Sequence, residues 1–300
     1  RRTVPIFATT YNLHGRPYCG ENLEEWLRLP RDSIPDIVAI AFQEIVDLNV
    51  GQVLAASNAN RLVWERTVME LLNIQLRQRG HGSEYVLIRS DQLVGVSLMI
   101  VTHNTVLPRM RNISSIKHKT GLWGMAGNKG AVAVSFDLDD SSFCIINSHL
   151  ASGTTNVAER NDDFYNIYTN TRFMRNKGID DHNYVLWLGD LNYRVDLPNP
   201  IVRDLVWKGD LDGLLRYDQL KAQAKQGRIF RDYQEGDIMF PPTYKYDTGT
   251  NNYDTSDKQR VPSWTDRILF RGQGLKLCAY YRDELTFSDH KPVSAVFEAQ

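Results

Sequence analysis

Cysteine is scarce in this sequence, and long apolar runs are missing. The three cysteines, Cys19, Cys144 and Cys278, are far apart in the chain and match no metal-binding spacing. They therefore indicate neither a disulfide framework nor a structural zinc site, and an odd count of this kind is typical of a reducing compartment. No apolar stretch is long enough to span a bilayer, and no signal peptide is recognisable. We therefore expect a cytoplasmic protein.

Linkers, low-complexity tracts and solenoid-type repeats are also missing from the sequence. The composition, 42% hydrophobic and 24% charged over 300 residues, is that of a globular chain with enough length for a large core. We expect residues 1–300 to form a single domain. Because the chain begins at Arg1 and not at methionine, we interpret it as a fragment of a longer protein. The net charge of −1 does not by itself favour any class of partner.

Acidic residues are missing from one long segment. No Asp or Glu occurs between Gln92 and Phe136, where the basic residues include Arg109, Arg111, Lys117, Lys119 and Lys129. Such a segment can face an anionic ligand or an anionic membrane surface. The alternative is a solvated basic face, which is the commoner reason for such clustering.

What the sequence does contain is a series of apolar strands that end in polar residues. Four of these strands deliver Asn12, Glu44, His149 and the pair Asp190 and Asn192, and Asp289-His290 precedes a fifth. Each of these residues alone fits an ordinary turn or helix cap. Active sites of layered α/β proteins gather at strand ends, where rigid elements hold loop residues. Because five strands present one polar set, we interpret that set as a site.

Local patterns predict helices between the strands. Asn22 caps a short helix that reaches Leu29, and Arg61–Arg79 has helical apolar spacing that ends at Gly80. The spacing of Asn156 and Glu159 predicts a capping box, and Asn199-Pro200 predicts an N-cap followed by proline at the first helical position. The polar, aromatic-rich stretch 241–259 is predicted to be a loop.

The chemistry of this set favours a metal-assisted hydrolase. Asn12, Glu44 and Asp289 are hard oxygen ligands that suit Mg²⁺ and do not suit Zn²⁺. Asp190 can accept a proton from an attacking water, while Asn192 orients that water or binds a phosphate.

Two histidines complete the expected set. His290, oriented by Asp266, can donate to phosphoryl oxygens, and His149 can donate to the same group. A histidine near a strand end is more often a satisfied turn or core residue. We apply that interpretation to the other five, His14, His81, His103, His118 and His182.

Two stretches carry a family resemblance. Trp187–Arg194 (WLGDLNYR) and Arg260–Leu269 (RVPSWTDRIL) resemble the two signature motifs of the inositol polyphosphate 5-phosphatases. Further motifs, shared with the DNase I-like and abasic-site endonucleases, are matched by Tyr11-Asn12, Gln43-Glu44, Asn147–Leu150 and Ser288–His290. The resemblance covers essentially the whole chain and is closest to the synaptojanin type, including Tyr244–Gly249.

This resemblance implies a DNase I-like fold, a four-layer α/β sandwich of two packed mixed β-sheets flanked by helices. It implies Mg²⁺-dependent removal of the 5-phosphate from phosphoinositides, most readily PtdIns(4,5)P2 to PtdIns4P, by in-line water attack without a covalent intermediate. The implied partners are a phosphoinositide and the cytosolic face of a membrane, which a monomeric catalytic domain meets peripherally. Nucleic acid is not an expected partner.

The resemblance also implies residue roles. Glu44 and Asn12 match the metal positions, and the catalytic positions are matched by Asp190, Asn192, His290, Asp266, His149 and Asp289. The pocket for the 4-phosphate is matched by Tyr244, Lys245, Lys258 and Arg260, and a contact nearer the 1-phosphate is matched by Asn128 and Lys129. Without the resemblance, the segment from Tyr244 to Arg260 also fits a mobile charged loop.

Leu122, Trp123 and Met125 occupy the loop that meets the lipid chains in this family. An apolar tip within a basic segment fits an interfacial anchor, and the alternative is that Trp123 packs in the core. Two other functions stay open at this point. One is a superfamily enzyme that acts on DNA or another phosphodiester, and the other is a non-catalytic phosphoinositide-binding module.

Overall fold

Two six-stranded sheets form the frame of the protein in the computed structural model, which describes residues 2–49, 58–120 and 128–300. The strands are β1 (Val4–Asn12), β2 (Ile37–Gln43), β3 (Tyr85–Leu93), β4 (Val96–His103), β5 (Met110–Lys119), β6 (Gly130–Leu138), β7 (Ser141–His149), β8 (Tyr184–Asp190), β9 (Gln234–Glu235), β10 (Asp266–Arg271), β11 (Leu275–Arg282) and β12 (Val293–Ala299). The helices are α1 (Ala59–Gln78), α2 (Val157–Asn170), α3 (Asn199–Trp207), α4 (Leu211–Leu215) and α5 (Gln219–Lys225).

Each sheet contains one parallel pair of strands among antiparallel neighbours. Sheet A has the order β11-β12-β1-β2-β4-β3, and sheet B has the order β5-β6-β7-β8-β10-β9. The strands β1 and β2 run parallel in sheet A, as do β7 and β8 in sheet B. Parallel strands present their carboxyl ends at the same edge of a sheet. Each parallel pair therefore delivers its last residues together, at one edge of its sheet.

The sheets pack face to face, and helices cover their outer faces. Because side chains alternate along a strand, β1 sends Ile6 and Ala8 into the core between the sheets and Phe7 into a second core with Trp64 of α1. A third core joins the outer face of sheet B to α2, including Phe164. These layers confirm the predicted fold of two packed mixed sheets flanked by helices.

Several local predictions were wrong. The segment from Asn22 to Leu29 forms a turn and not a helix. Asn156 occupies the N-cap position of α2, but the predicted capping box is not formed, because the Asn156 side chain makes no capping bond and its Nδ2 donates to the backbone oxygen of Ser152. Asn199 is the first helical residue of α3 rather than its cap, and its Oδ1 accepts from Arg203.

Other local predictions were confirmed. The helix predicted over 61–79 is present as α1, and Gly80 follows it with a φ of 66°. The stretch 241–259 contains isolated bridges and turns and no helix. Among the described residues, no helix is both long enough and apolar enough to cross a membrane.

Candidate active site

Asp190 lies at the centre of the candidate site. It is the last residue of β8 and is 1% exposed. Its register partners in sheet B are His149 at the end of β7 and Asp266 at the start of β10. A Cβ at the preceding Gly189 would lie 2.0 Å from the backbone oxygen of Ser148, so only glycine permits this close approach of the strands. The sheet register thus sets three site residues side by side.

Donors surround the carboxylate of Asp190. Its Oδ2 accepts a hydrogen bond of 3.0 Å from Asn12 Nδ2, and it lies 3.3 Å from His149 Nε2 and 3.7 Å from His290 Nε2. Burial raises the pKa of Asp190, but the two histidines and Asn12 outweigh burial and hold that pKa well below its usual range. Asp190 is therefore ionised at neutral pH.

His290 lies between two carboxylates that favour its charged form. Its Nδ1 donates to Asp266 Oδ2 over 2.9 Å, and Asp266 also accepts from the hydroxyls of Thr243 and Thr265. Burial lowers the pKa of His290, but Asp266 and Asp190 together raise that pKa well above its ordinary value. Because Nδ1 is bound to Asp266, the ring directs Nε2 toward Asp190 and the site.

Glu44 supplies the more accessible carboxylate. It follows β2 with a φ of 48°, a strained conformation for a residue with a side chain, and it is half-buried. Its Oε2 accepts a hydrogen bond of 2.5 Å from Asn12 Nδ2. Ligand atoms of Glu44, Asp190 and His290 lie within 4.8 Å of one another, which is a candidate divalent-metal site. Hard divalent cations prefer oxygen ligands, so the carboxylates of Glu44 and Asp190 are the ligands that this site offers to such a cation.

Asp289 lies beside both rings at the edge of the site. Its Oδ1 is 3.9 Å from His290 Nε2, and its Oδ2 is 3.3 Å from His14 Nδ1. His14 is a turn residue, as predicted, but its contact with Asp289 also places it in the site. Sequence reasoning missed this position because a histidine in a turn carries no signal of its tertiary neighbours.

Asn192 is fixed by its own neighbours. It has a φ of 60°, and its backbone N–H donates to Asp190 Oδ1 over 3.2 Å. Its Nδ2 donates to the backbone oxygen of Leu150 over 2.8 Å, and its Oδ1 accepts from Arg194 Nη2 over 2.9 Å. Arg194 was part of the WLGDLNYR motif, yet sequence reasoning gave it no role.

The chain matches the Endonuclease/Exonuclease/phosphatase family 2 over residues 9–296. The chain belongs to this family. A solved structure of the inositol polyphosphate 5-phosphatase domain of SPsynaptojanin, in complex with inositol (1,4)-bisphosphate and calcium ion, is 45% identical with a TM-score of 0.92, and the match covers 99% of this chain and 84% of that one. The predicted membership of the inositol polyphosphate 5-phosphatase domains is thereby confirmed.

Longer proteins contain similar domains. Inositol-1,4,5-trisphosphate 5-phosphatase 1 of Schizosaccharomyces pombe is 46% identical over 300 residues, which are 99% of this chain and 27% of that protein. Human synaptojanin-1 is 37% identical over 344 residues, which are 99% of this chain and 21% of that protein. This 5-phosphatase-family chain therefore spans about a quarter of the length of these relatives.

The predicted pocket residues of this 5-phosphatase-family domain lie at different depths. The Tyr244 ring packs against the His290 ring with centroids 4.6 Å apart, and burial raises the pKa of Tyr244 to about 12. Lys245 and Arg260 are half-buried, whereas Lys258 is exposed. The backbone N–H of Arg260 donates to the buried Asp254, which fixes this end of the loop. The structure thus places Tyr244 in contact with His290, whereas the basic side chains of this loop are half-buried or exposed.

Asn128 and Lys129 lie directly before β6. Gly130, the next residue, pairs with His149, so this pair lies near the end of β7. The Oδ1 of Asn128 is buried and has no hydrogen-bond partner within the part of the chain that the structure describes. Leu122, Trp123 and Met125 fall in 121–127, outside the described residues.

Two of the histidines that the sequence analysis placed outside the site are core residues, as predicted. His103 Nε2 lies 2.9 Å from Asp36 Oδ1, and His182 Nε2 lies 2.8 Å from Ser135 Oγ, in each case among buried groups. Neither ring is part of the candidate site.

Proposed function

We propose that this chain is the Mg²⁺-dependent phosphoinositide 5-phosphatase domain of a longer protein and that it converts PtdIns(4,5)P2 to PtdIns4P. One observation supports this most directly. The carboxylate of Asp190 lies 3.7 Å from Nε2 of His290, whose ring is held by Asp266, beside the half-buried carboxylate of Glu44. A proton acceptor, a donor to phosphoryl oxygens and a cation ligand are the groups that phosphomonoester hydrolysis needs.

The residues present fit a divalent cation. Glu44 and Asp190 offer carboxylate oxygens that lie close together, and Asn12 Nδ2 donates to both, while Asn12 Oδ1 accepts from the backbone N–H of His14. Such a set suits Mg²⁺, which prefers carboxylate, carbonyl and water oxygens. When bound, the cation would neutralise charge on the phosphoryl group and polarise its oxygens.

The side chains of the chain itself support the rest of the reaction. Asp190 accepts a proton from the water that attacks phosphorus in line with the inositol oxygen. The bond between phosphorus and the inositol oxygen breaks, that oxygen takes a proton from solvent water, and Asp190 returns its own proton to solvent. His290 and His149 are the hydrogen-bond donors to the phosphoryl oxygens. Water is the nucleophile, so the reaction has no covalent enzyme intermediate.

The pocket loop supports the choice of substrate. Tyr244 packs on His290, and Lys245, Lys258 and Arg260 follow on the same loop. Lysine and arginine form charge-assisted hydrogen bonds to phosphate, so these side chains suit a second phosphate beside the one that is removed. Inositol (1,4)-bisphosphate, the ligand of the solved SPsynaptojanin domain, is the product that removal of a 5-phosphate from inositol 1,4,5-trisphosphate would leave.

The basic segment supports a peripheral position on the cytosolic face of a membrane. Lys117 and Lys119 are exposed near the end of β5, directly before residues 121–127 with Leu122, Trp123 and Met125. Cationic side chains around an apolar tip favour an anionic lipid surface. We propose that the domain is monomeric and that nucleic acid is not its substrate.

The reaction is tested by phosphate release from short-chain PtdIns(4,5)P2, with Mg²⁺ and with EDTA, and by identification of the lipid product. We expect Mg²⁺-dependent release that leaves PtdIns4P. Release of the 4-phosphate, or binding without release, would contradict the proposal. Cleavage of DNA that weakens as salt rises would instead favour the phosphodiesterase alternative.

The membrane proposal has a separate test. Binding of the Trp123→Ala variant to vesicles of phosphatidylserine and phosphatidylcholine is compared with binding of the wild type. We expect weaker binding and an unchanged rate on the short-chain soluble substrate. Unchanged binding would remove Trp123 from the lipid interface.

A further inference from the structure

Arg194 is a buried cation with contacts to two parts of the site. Its side chain donates from Nε to the backbone oxygen of Asn192 and from Nη2 to Asn192 Oδ1, each over 2.9 Å. Its guanidinium carbon lies 4.9 Å from the centroid of the Tyr244 ring. We infer that Arg194 is a positioning residue that makes the Asn192 amide a donor to the substrate phosphate and holds Tyr244 beside His290. This inference rests on the proposed function.

The first part follows from which groups can donate. A guanidinium only donates, so the Asn192 atom that faces Nη2 is the oxygen. The backbone oxygen of Leu150 only accepts, so the atom that faces it over 2.8 Å is Nδ2. The amide is therefore fixed in one of its two orientations, and neither contact uses the second N–H of Nδ2.

This orientation decides between two roles for Asn192. Its oxygen already accepts a charge-assisted hydrogen bond, which also polarises the amide and strengthens its N–H as a donor. A donor fits a phosphoryl oxygen, whereas a water that gives one proton to Asp190 and attacks phosphorus through a lone pair needs an acceptor for its second proton. Arg194 thus favours phosphate binding by Asn192 over orientation of the water.

The second part concerns the spacing between the reaction centre and the pocket. The Tyr244 ring contacts the guanidinium of Arg194 at 4.9 Å, and it contacts the His290 ring at 4.6 Å. A cation over an aromatic ring is attracted to it, most strongly where both are buried. Arg194 therefore connects Asn192, which contacts the scissile phosphate, with Tyr244, which belongs to the pocket for the neighbouring phosphate.

The backbone of Arg194 is held independently of its side chain. Its N–H donates to Gln219 Oε1, and its backbone oxygen accepts from the N–H of Gln219, each over 2.9 Å. A substitution at this position therefore changes the side-chain contacts and leaves the path of the chain in place. Lysine keeps the charge but has no planar fork to reach both oxygens of Asn192.

The test compares Arg194→Lys with a matched control on short-chain PtdIns(4,5)P2. We expect kcat to fall by about 10- to 100-fold, as for other residues that orient a reacting group. The control is Arg282→Lys, because Arg282 also donates to backbone oxygens and lies 5.7 Å from a tyrosine ring, that of Tyr246. A wild-type kcat in Arg194→Lys, or an equal loss in the control, would overturn the inference.

A double-mutant cycle separates positioning from loss of packing. In an Asn192→Ala background, Arg194→Lys should lower kcat little further, because the amide on which it acts is gone. A full additional loss in that background would show that Arg194 does not act through Asn192.

A crystal structure of Arg194→Lys tests the inference apart from catalysis. A turned Asn192 amide or a displaced Tyr244 ring would support it, and unchanged positions of both would overturn it. An inactive wild type would contradict the proposed function but would leave this structural comparison valid.

Discussion

Sheet A and sheet B contribute different chemistry to the same site. The ends of sheet A supply Asn12, Glu44, Asp289 and His290, whereas sheet B supplies His149, Asp190, Asn192 and Asp266. Two hydrogen bonds cross between the sheets, from Asn12 to Asp190 over 3.0 Å and from His290 to Asp266 over 2.9 Å. Neither sheet holds a complete site, so the packing of the two sheets creates it.

The carboxylates that the two sheets supply also differ in their exposure to solvent. In sheet B, Asp190 and Asp266 are 1% and 0% exposed and are matched by donors from sheet A. In sheet A, Glu44 is half-buried and nearer to solvent. A buried, paired carboxylate can hold a charge where water is excluded, whereas an accessible one can receive a hydrated cation. This difference predicts which carboxylate handles the proton and which binds the metal.

The largest expected effect comes from removing the proton acceptor. Asp190→Asn keeps the shape of the side chain, but its amide cannot take a proton from water, so phosphate release should fall by about 10²- to 10⁴-fold. Binding of the lipid should change little. Asp204→Asn, at an exposed aspartate paired with Lys208, is the matched control. A variant that kept most of its turnover would assign the proton to another group.

Sequence motifs predicted the members of this site but not the contacts between them. Asp190, His149 and Asp266 each follow or begin an apolar strand, and that pattern is visible in the sequence. Their adjacency depends on strand order and register, which local patterns do not specify. The resemblance to a known family supplied the grouping.

The features that the sequence did not predict also have physical reasons. The edge strand β5 was not predicted, because a register shift between Arg111 and Ser114 breaks the alternation of apolar side chains. The roles of Arg194 and His14 depend on neighbours from other elements, Tyr244 and Asp289. No periodicity within the sequence reports such contacts.

The expected role of Glu44 as the carboxylate that binds the cation is tested with Glu44→Gln. Mg²⁺ binds the folded state, so it should raise the unfolding temperature of the wild type, and the neutral variant should lose that rise. Phosphate release should fall by about 100-fold, because cation binding supplies several kcal/mol of charge stabilisation. Thermal unfolding with and without Mg²⁺ measures the first effect. Glu284→Gln, at an exposed glutamate paired with Arg282, should keep the Mg²⁺ response.

A smaller effect is expected outside the sheets, in the pocket loop. Arg260→Met should raise KM for PtdIns(4,5)P2 by roughly 10- to 100-fold with a smaller change in kcat, because a charged hydrogen bond contributes about 1.5–3 kcal/mol. PtdIns5P lacks the 4-phosphate, and its KM should change little. Arg231→Met, at an exposed arginine, is the control. Equal effects on both lipids would place Arg260 at another phosphate.

The smallest expected effect concerns Asp283, a buried carboxyl next to sheet A that forms no salt bridge within the described part of the chain. Asp283 follows β11, is 8% exposed, and its Oδ2 has no hydrogen-bond partner among the residues described. Burial, with Glu25 and Glu284, raises the pKa of Asp283 from its ordinary value of 3.8 to about 7, against a weaker opposite effect of Arg28. Asp283 therefore differs from Asp190 and Asp266, which have partners.

The sign of the pH dependence follows from that raised pKa. The folded state holds the proton more tightly than the unfolded state, so the contribution of Asp283 to stability is present below pH 3.8 and is lost as the pH rises through about 7. Asp283→Asn stays neutral, so it should raise the unfolding temperature by about 2–4 °C at pH 8 and by less at pH 5. Asp254→Asn should do the opposite at pH 8, because hydrogen bonds outweigh burial and lower the pKa of Asp254. A destabilised Asp283→Asn at pH 8 would show that this carboxylate, like those of the site, has a partner when it is charged.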